Sequence, residues 1–124
     1  MEGYHHTDKG IAIQFEDIYL VQGARTGYGR LAGTIAKVSP TDLGIFAAKE
    51  AMQRSHIDPA TIDQVIFSNL TQVSGDAYYL PRHVGIYSGV PETVPALLVQ
   101  RLCGTGFEVI LNAAEQITLG KADR

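Results

Sequence analysis

The sequence has little cysteine, scattered basic residues and no long apolar run, and each shortage excludes a class of protein. Its 124 residues include a single cysteine, so no disulfide can form within the chain. No apolar run approaches the length that crosses a bilayer. The net charge is -3 and no basic cluster breaks that balance, which argues against a nucleic-acid binder. We therefore expect neither a membrane nor a nucleic acid among the partners of this chain.

The first 16 residues form a polar leader without a recognisable targeting signal. They contain neither the basic n-region nor the apolar h-region of a secretory signal, and no arginine-rich amphipathic start. The leader has no obvious structure as far as Gln14. His5 and His6 lack further spaced ligands, so no metal site is predicted. A cytoplasmic protein is the default expectation.

The remaining residues, 17–124, alternate β and α segments and are predicted to form one domain. Hydrophobic residues make up 45% of the chain, which is enough to build a core. A helix is predicted to begin at Ser39, which can cap it. Pro40 suits the first helical position, and the side chain of Asp42 can bond back to the capping residue. Strands are predicted at residues 17–23 and 64–70, on either side of this helix, and we expect them to pair in parallel.

The second half of the chain continues the alternation. We predict a helix at residues 78–88, a strand at 94–100 and a helix at 104–119, with Gly120 as the residue that ends the last helix. This last helix is apolar on most of its sides. Such a helix belongs in the middle of a layered α/β protein.

Cys103 lies where the apolar strand gives way to the last helix. The open N–H groups and the positive dipole end of a helix favour a thiolate over a thiol, so this position predicts a nucleophile. Gly104 and Gly106 remove side chains where an acyl group would approach the sulfur. The plain alternative is a small buried hydrophobic residue, since most single cysteines are of that kind. A thiol redox sensor is a further alternative, although the chain offers no resolving cysteine.

Four motifs resemble one family in the order and spacing of that family. The segment Arg-Leu-Cys-Gly-Thr-Gly at residues 101–106 is similar to the segment around the acyl-accepting cysteine of thiolases, the acyl-CoA C-acyltransferases. Residues 24–33 look like the early Arg-Thr-Pro-x-Gly loop of the family, residues 63–70 like its second strand, and residues 120–123 like its Gly-x-Ala-Asp motif. The resemblance runs from about Ile18 to the end. Gly27, Gln100 and Thr105 stand where proline, asparagine and serine are usual.

The resemblance implies an α/β, thiolase-like layered fold, αβαβα in the complete protein. Residues 17–124 would be its incomplete N-terminal domain, with a mostly parallel mixed sheet and with the next strand and the C-terminal half missing. Cys103 would attack an acyl-CoA thioester, and its backbone N–H would contribute to an oxyanion hole. Coenzyme A and acyl-CoA are implied as substrates, without a tightly bound cofactor. Residues that bind coenzyme A are not assigned.

The resemblance also shows what this chain lacks. The family uses a histidine in a Gly-His-Pro context and a second cysteine in a Cys-x-Gly context, both from its C-terminal half, and neither motif occurs here. We therefore expect the 124 residues alone to be inactive, with the missing half or a complementary chain as a partner. Arg82 and the tyrosines near it are implied at a subunit contact of a homodimer or homotetramer, or form a solvated helix. A non-catalytic assembly module and a ketoacyl synthase-type condensing enzyme are the alternative functions.

Overall fold

The computed structural model describes residues 3–124. Met1 and Glu2, which belong to the predicted leader, lie outside the described residues. Four strands and three α-helices are found within residues 3–124. In chain order they are β1 (Gly3–Thr7), β2 (Gly10–Gln14), α1 (Pro40–Ser55), β3 (Val65–Ser68), α2 (Leu80–Tyr87), β4 (Ala96–Val99) and α3 (Thr105–Thr118).

The centre of the fold is a parallel pair of strands between two layers of helices. β3 and β4 pair in parallel, with Val65 opposite Ala96 and Ser68 opposite Val99. Alternate side chains of a strand point to opposite faces of a sheet. Phe67 points towards α1 and α2, whereas Ile66 lies among residues of α3. This arrangement confirms the predicted α/β class.

Helices α1 and α2 approach each other closely because one of them carries a glycine at the contact. A Cβ atom placed on Gly44 of α1 would lie 2.8 Å from Cγ2 of Val84 in α2. Val84 is completely buried. On the same helix, a Cβ atom on Gly85 would lie 3.1 Å from Cγ2 of Val65 in β3. Small residues thus allow α2 to pack between α1 and the sheet.

The start of α1 confirms the cap predicted from the sequence. The side chain of Ser39 accepts a hydrogen bond from the backbone N–H of Asp42 at 3.0 Å. The Ser39 hydroxyl also donates to the carboxylate of Asp42 at 2.8 Å. Pro40 occupies the first helical position. The helix ends at His56, whose φ of 55° is left-handed and stops the helical path.

The strand predicted at residues 17–23 is wrong, and its parallel pairing with the strand predicted at 64–70 is wrong with it. Residues 18–30 adopt no regular secondary structure. Tyr19, Leu20 and Val21 are exposed by 76%, 81% and 66%. An apolar run becomes a strand only when a neighbouring strand satisfies its backbone. Within residues 3–124 the sheet that contains β3 has β4 as its only other member, so residues 17–23 remain unpaired.

The expectation that the leader has no structure is also wrong. β1 and β2 form an antiparallel hairpin, with Gly3 opposite Gln14 and Thr7 opposite Gly10. Gly10 has a φ of 131°, a conformation open to glycine. The hydroxyl of Tyr4 donates a hydrogen bond of 2.7 Å to Glu115 in α3, which joins the hairpin to the domain. The boundary between leader and domain at residues 16 and 17 stays a prediction.

The C-terminal end of α3 is held as the sequence predicts. Gly120 has a left-handed φ of 67°, and the N–H of Lys121 bonds to the carbonyl of Gln116. The chain then returns to the start of β3, where the carboxylate of Asp63 accepts hydrogen bonds from the N–H groups of Asp123 and Arg124 at 2.9 and 3.1 Å. None of the helices in residues 3–124 is long and apolar enough to cross a membrane.

Candidate active site

Cys103 lies in a short turn between the end of β4 and the start of α3. The turn is a 3₁₀ helix over Leu102–Gly104, and the thiol is free and exposed. The alternative of a small buried hydrophobic residue is therefore wrong. The turn leaves Cys103 at the open end of α3, where the first N–H groups of a helix have no partner inside the helix.

The backbone N–H of Cys103 takes no part in the hydrogen bonds of this turn. The N–H of Gly104 bonds to the carbonyl of Arg101 at 3.0 Å, and the N–H of Thr105 bonds to the carbonyl of Leu102. Leu102 itself has a left-handed φ of 47°. Side chains make that conformation rare, so the turn before Cys103 is strained.

The two glycines that follow Cys103 leave open space. A Cβ atom on Gly104 would meet only Cγ of Arg101, at 4.0 Å, and a Cβ atom on Gly106 would meet nothing within 4 Å. Neither glycine is therefore required by close packing among the described residues. The space beside the thiol is consistent with the approach of an acyl group predicted from the sequence.

Glu108, one turn after Cys103, is engaged with a cation. Its carboxylate forms an ion pair with the guanidinium of Arg101 and accepts a bond of 3.4 Å from the amide of Asn112. The Glu108 contact raises the pKa of Arg101 above its usual value. Glu108 lies in the first turn of α3, where a carboxylate is favoured by the positive end of the helix.

Gln100, which departs from the family pattern, connects the ends of the two central strands. Its side-chain amide donates a hydrogen bond of 3.2 Å to the carbonyl of Leu70, just after β3. Asn69 in the same region is 8% exposed, and its Nδ2 atom has no partner among the described residues. The carboxyl ends of β3 and β4 thus bring polar amide groups to the edge of the sheet from which the Cys103 turn begins.

His83 is placed in a separate cluster, and sequence reasoning did not find that cluster. Its Nδ1 atom lies 3.3 Å from the carboxylate of Asp76, and its ring lies between those of Tyr79 and Tyr87. The buried Thr41 donates its hydroxyl to the same carboxylate. No sequence signal joins Thr41 to Asp76, because 35 residues separate them. No hydrogen bond joins His56 or His83 to Cys103 in the described part of the chain.

Arg82 forms hydrogen bonds within the domain. Its guanidinium donates to the carbonyls of Glu92 and Val94, at 2.9 and 2.7 Å, and so fixes the segment that leads into β4. Tyr78, Tyr79 and Tyr87 are exposed. Their role in a subunit contact stays a prediction. Within residues 3–124 no three side chains of His, Cys, Asp or Glu are grouped to hold a metal ion.

Comparison with known proteins decides the family. A family model described as the thiolase N-terminal domain matches residues 18–124, including the turn that carries Cys103. The chain belongs to the thiolase family. The mitochondrial 3-ketoacyl-CoA thiolase of Homo sapiens is 42% identical over 106 residues, which are 86% of this chain and 27% of that relative. A β-ketothiolase of Cupriavidus necator is 36% identical, with the same two shares.

Solved thiolase structures share the fold. A crystal structure of human mitochondrial 3-ketoacyl-CoA thiolase in complex with CoA is similar with a TM-score of 0.80 and 43% identity, over 82% of this chain and 26% of that one. An acetyl-CoA acetyltransferase from Syntrophomonas wolfei gives a TM-score of 0.81 at 32% identity, over 89% and 28%. These matches confirm the predicted thiolase-like fold. The chain spans 27% of the length of the curated relatives named above.

The expectation of a cytoplasmic protein is wrong. The human and Bos taurus thiolases, 42% and 39% identical to this chain, are both named mitochondrial. The expectation rested on a polar leader without a classical targeting signal, and composition of that kind does not determine the compartment of a thiolase.

Proposed function

We propose that this chain supplies the nucleophile-bearing part of a thiolase, and that Cys103 is the residue that accepts the acyl group. The observation that carries the proposal is the exposed, free thiol of Cys103 in the turn between β4 and α3, within the match to the thiolase N-terminal domain. Relatives of this chain are named 3-ketoacyl-CoA thiolase and β-ketothiolase. The substrates proposed are coenzyme A and acyl-CoA.

The proposed chemistry is a covalent acyl transfer in two steps. In thiolysis, the Cys103 thiolate attacks the 3-keto carbonyl, a bond forms between sulfur and carbon, and the bond to the neighbouring carbon breaks. Its electron pair leaves on the shorter acyl-CoA as an enolate, which then takes a proton. In the second step the sulfur of coenzyme A forms a bond to the acyl carbon, the bond between that carbon and the Cys103 sulfur breaks, and the proton of the coenzyme A thiol is transferred to Cys103 as the shortened acyl-CoA leaves. The reverse sequence is condensation to acetoacetyl-CoA.

The turn provides one group for the negative oxygen of the first step. The backbone N–H of Cys103 takes no part in the hydrogen bonds of Gly104 and Thr105, so it is free to donate to a tetrahedral oxyanion. A fixed donor of that kind contributes about 3 kcal/mol to such a step. A second hydrogen-bond donor to the oxyanion has to come from residues outside this chain or from a rearrangement of this chain.

The proton transfers need groups that these 124 residues do not offer. Cys103 is the only cysteine of the sequence, so no second cysteine can protonate the leaving enolate. His83 is held by Asp76 and by two tyrosine rings. We therefore propose that turnover requires the remaining part of a thiolase, and that the complete assembly is a homodimer or homotetramer. We propose that the leader comprises residues 1–16 and the domain residues 17–124.

The test is the intact mass of the chain before and after incubation with acetyl-CoA, together with Cys103→Ala. We expect one acetyl group on the original chain and none on Cys103→Ala, without formation of acetoacetyl-CoA. Cys103→Ser is a matched control, because it keeps a small polar side chain and removes the sulfur. Acetylation of Cys103→Ala to the same extent would contradict the assignment of the nucleophile. Sustained product formation would contradict the need for a further partner.

A further inference from the structure

Thr105, the first residue of α3, binds the backbone on both sides of the peptide bond between Arg101 and Leu102. Its hydroxyl oxygen accepts a hydrogen bond of 2.6 Å from the N–H of Arg101. The same hydroxyl donates a bond of 2.6 Å to the carbonyl of Leu102. Thr105 is 4% exposed, so water does not replace these bonds easily.

These two bonds span the strained residue of the turn. Leu102 has a φ of 47°, and bulky side chains rarely adopt this left-handed conformation. Such a conformation persists only where the surrounding structure determines it. The Thr105 hydroxyl fixes the N–H of the residue before Leu102 and the carbonyl of Leu102 itself. It therefore restrains the backbone from both directions at the residue that precedes Cys103.

We propose that Thr105 is a positioning residue for Cys103. Its hydroxyl holds Leu102 in the left-handed conformation and thereby keeps the thiol at the start of α3, beside the positive end of the helix. Thr105 touches neither substrate nor the sulfur in this proposal and acts only through the turn. The inference rests on the proposed function in one respect, the identity of Cys103 as the reacting group.

The test is the rate at which iodoacetamide alkylates the chain at neutral pH. Because the sequence has one cysteine, the mass gain reports Cys103 alone. Thr105→Val keeps the shape of the side chain and removes both hydrogen bonds, and we expect its alkylation to be about fivefold slower, the factor that a favourable helix-terminus interaction provides. Thr105→Ser keeps the hydroxyl, and we expect its rate to stay within about twofold of the original.

Thr41→Val is the matched control for a general loss of stability. Thr41 is also buried, at 6% exposure, and its hydroxyl also makes a bond, to Asp76, but it belongs to α1. We expect this variant to unfold more easily and to be alkylated at the original rate. Equal rates in Thr105→Val and the original chain would overturn the proposal. Equal slowing in Thr105→Val and Thr41→Val would overturn it as well.

A second variant keeps the test decisive where Thr105→Val folds poorly. Leu102→Gly combined with Thr105→Val places glycine at the left-handed position, which glycine adopts without strain. We expect the alkylation rate of this double variant to recover to within about twofold of the original, and a rate that stays low would contradict the proposal. Alkylation needs no acyl-CoA and no partner. If the alkylation rates are as expected and acetyl-CoA does not acetylate the chain, the proposed function is rejected and the role of Thr105 is not. If acetyl-CoA acetylates Cys103 and the alkylation rates are not as expected, the role of Thr105 is rejected and the proposed function is not.

Discussion

The hydroxyl of Thr41, at the start of α1, donates a hydrogen bond to the carboxylate of Asp76, which precedes α2 by four residues. The same carboxylate lies 3.3 Å from Nδ1 of His83, on α2. The Thr41 bond, assisted by His83, lowers the pKa of Asp76 from 3.8 to about 2. One carboxylate thus connects the first turn of α1 to α2, and its charged form accepts these hydrogen bonds more strongly than the neutral form does.

This contact predicts a loss of stability at acid pH. The pKa of Asp76 is lower in the folded chain than the ordinary value of 3.8. The contribution of its carboxylate to the free energy of unfolding is therefore complete above pH 3.8 and is lost as the pH falls through about 2. We expect Asp76→Asn to unfold at lower urea concentration than the original chain at pH 7. The difference between the two midpoints should shrink as the pH falls from about 4 to about 2.

Asp8→Asn is the control for this pH dependence. Asp8 is exposed in the turn of the β1–β2 hairpin and belongs to neither α1 nor α2. Its variant should follow the original chain at every pH. A difference between Asp76→Asn and the original that stays constant from pH 7 to about pH 2 would show that the Asp76 carboxylate is not the group that titrates.

Local signals were sufficient to predict the helix starts and the position of the thiol. Ser39, Pro40 and Asp42 lie within four consecutive residues, and a cap depends only on such neighbours. The same holds for Cys103, since an apolar strand pattern and an apolar helix pattern meet at that residue. Predictions of this kind succeed because the groups that interact are within a few residues of each other.

Long-range partners account for what the sequence did not reveal. The bond between Thr41 and Asp76 joins positions 35 residues apart, and no spacing rule connects them. The apolar segment at residues 17–23 reads as a strand, but strand formation depends on a neighbour that the sequence pattern does not supply. The backbone hydrogen bonds of Thr105 could have been predicted from the sequence, because a threonine at the start of a helix commonly bonds nearby backbone groups.

The cap of α1 gives a second prediction. Ser39→Ala removes the acceptor for the N–H of Asp42 and the donor to its carboxylate. We expect a loss of about 1 kcal/mol in the free energy of unfolding, the usual cost of losing a cap. Urea unfolding followed by circular dichroism measures it. Ser39→Asn retains a side-chain acceptor and should stay within about 0.5 kcal/mol of the original, so an equal loss in both variants would contradict the capping role.

The contact between α1 and α2 gives a third prediction. Gly44→Ala places a Cβ atom 2.8 Å from Cγ2 of Val84, a stiff β-branched side chain that is completely buried. Overpacking of that kind costs about 1–3 kcal/mol. Alanine in a helix recovers about 1 kcal/mol relative to glycine. We therefore expect a net loss of up to about 2 kcal/mol in the free energy of unfolding, measured by urea titration.

Gly106→Ala is the matched experiment for that contact, because Gly106 is also a helical glycine. A Cβ atom there meets nothing within 4 Å, so only the gain in helix propensity remains. We expect Gly106→Ala to raise the free energy of unfolding by about 0.5–1 kcal/mol. The two substitutions are chemically identical, and they differ in the packing around the added Cβ atom. Opposite signs would therefore assign the Gly44 effect to Val84, whereas stabilisation by both would show that α1 and α2 can separate at no cost.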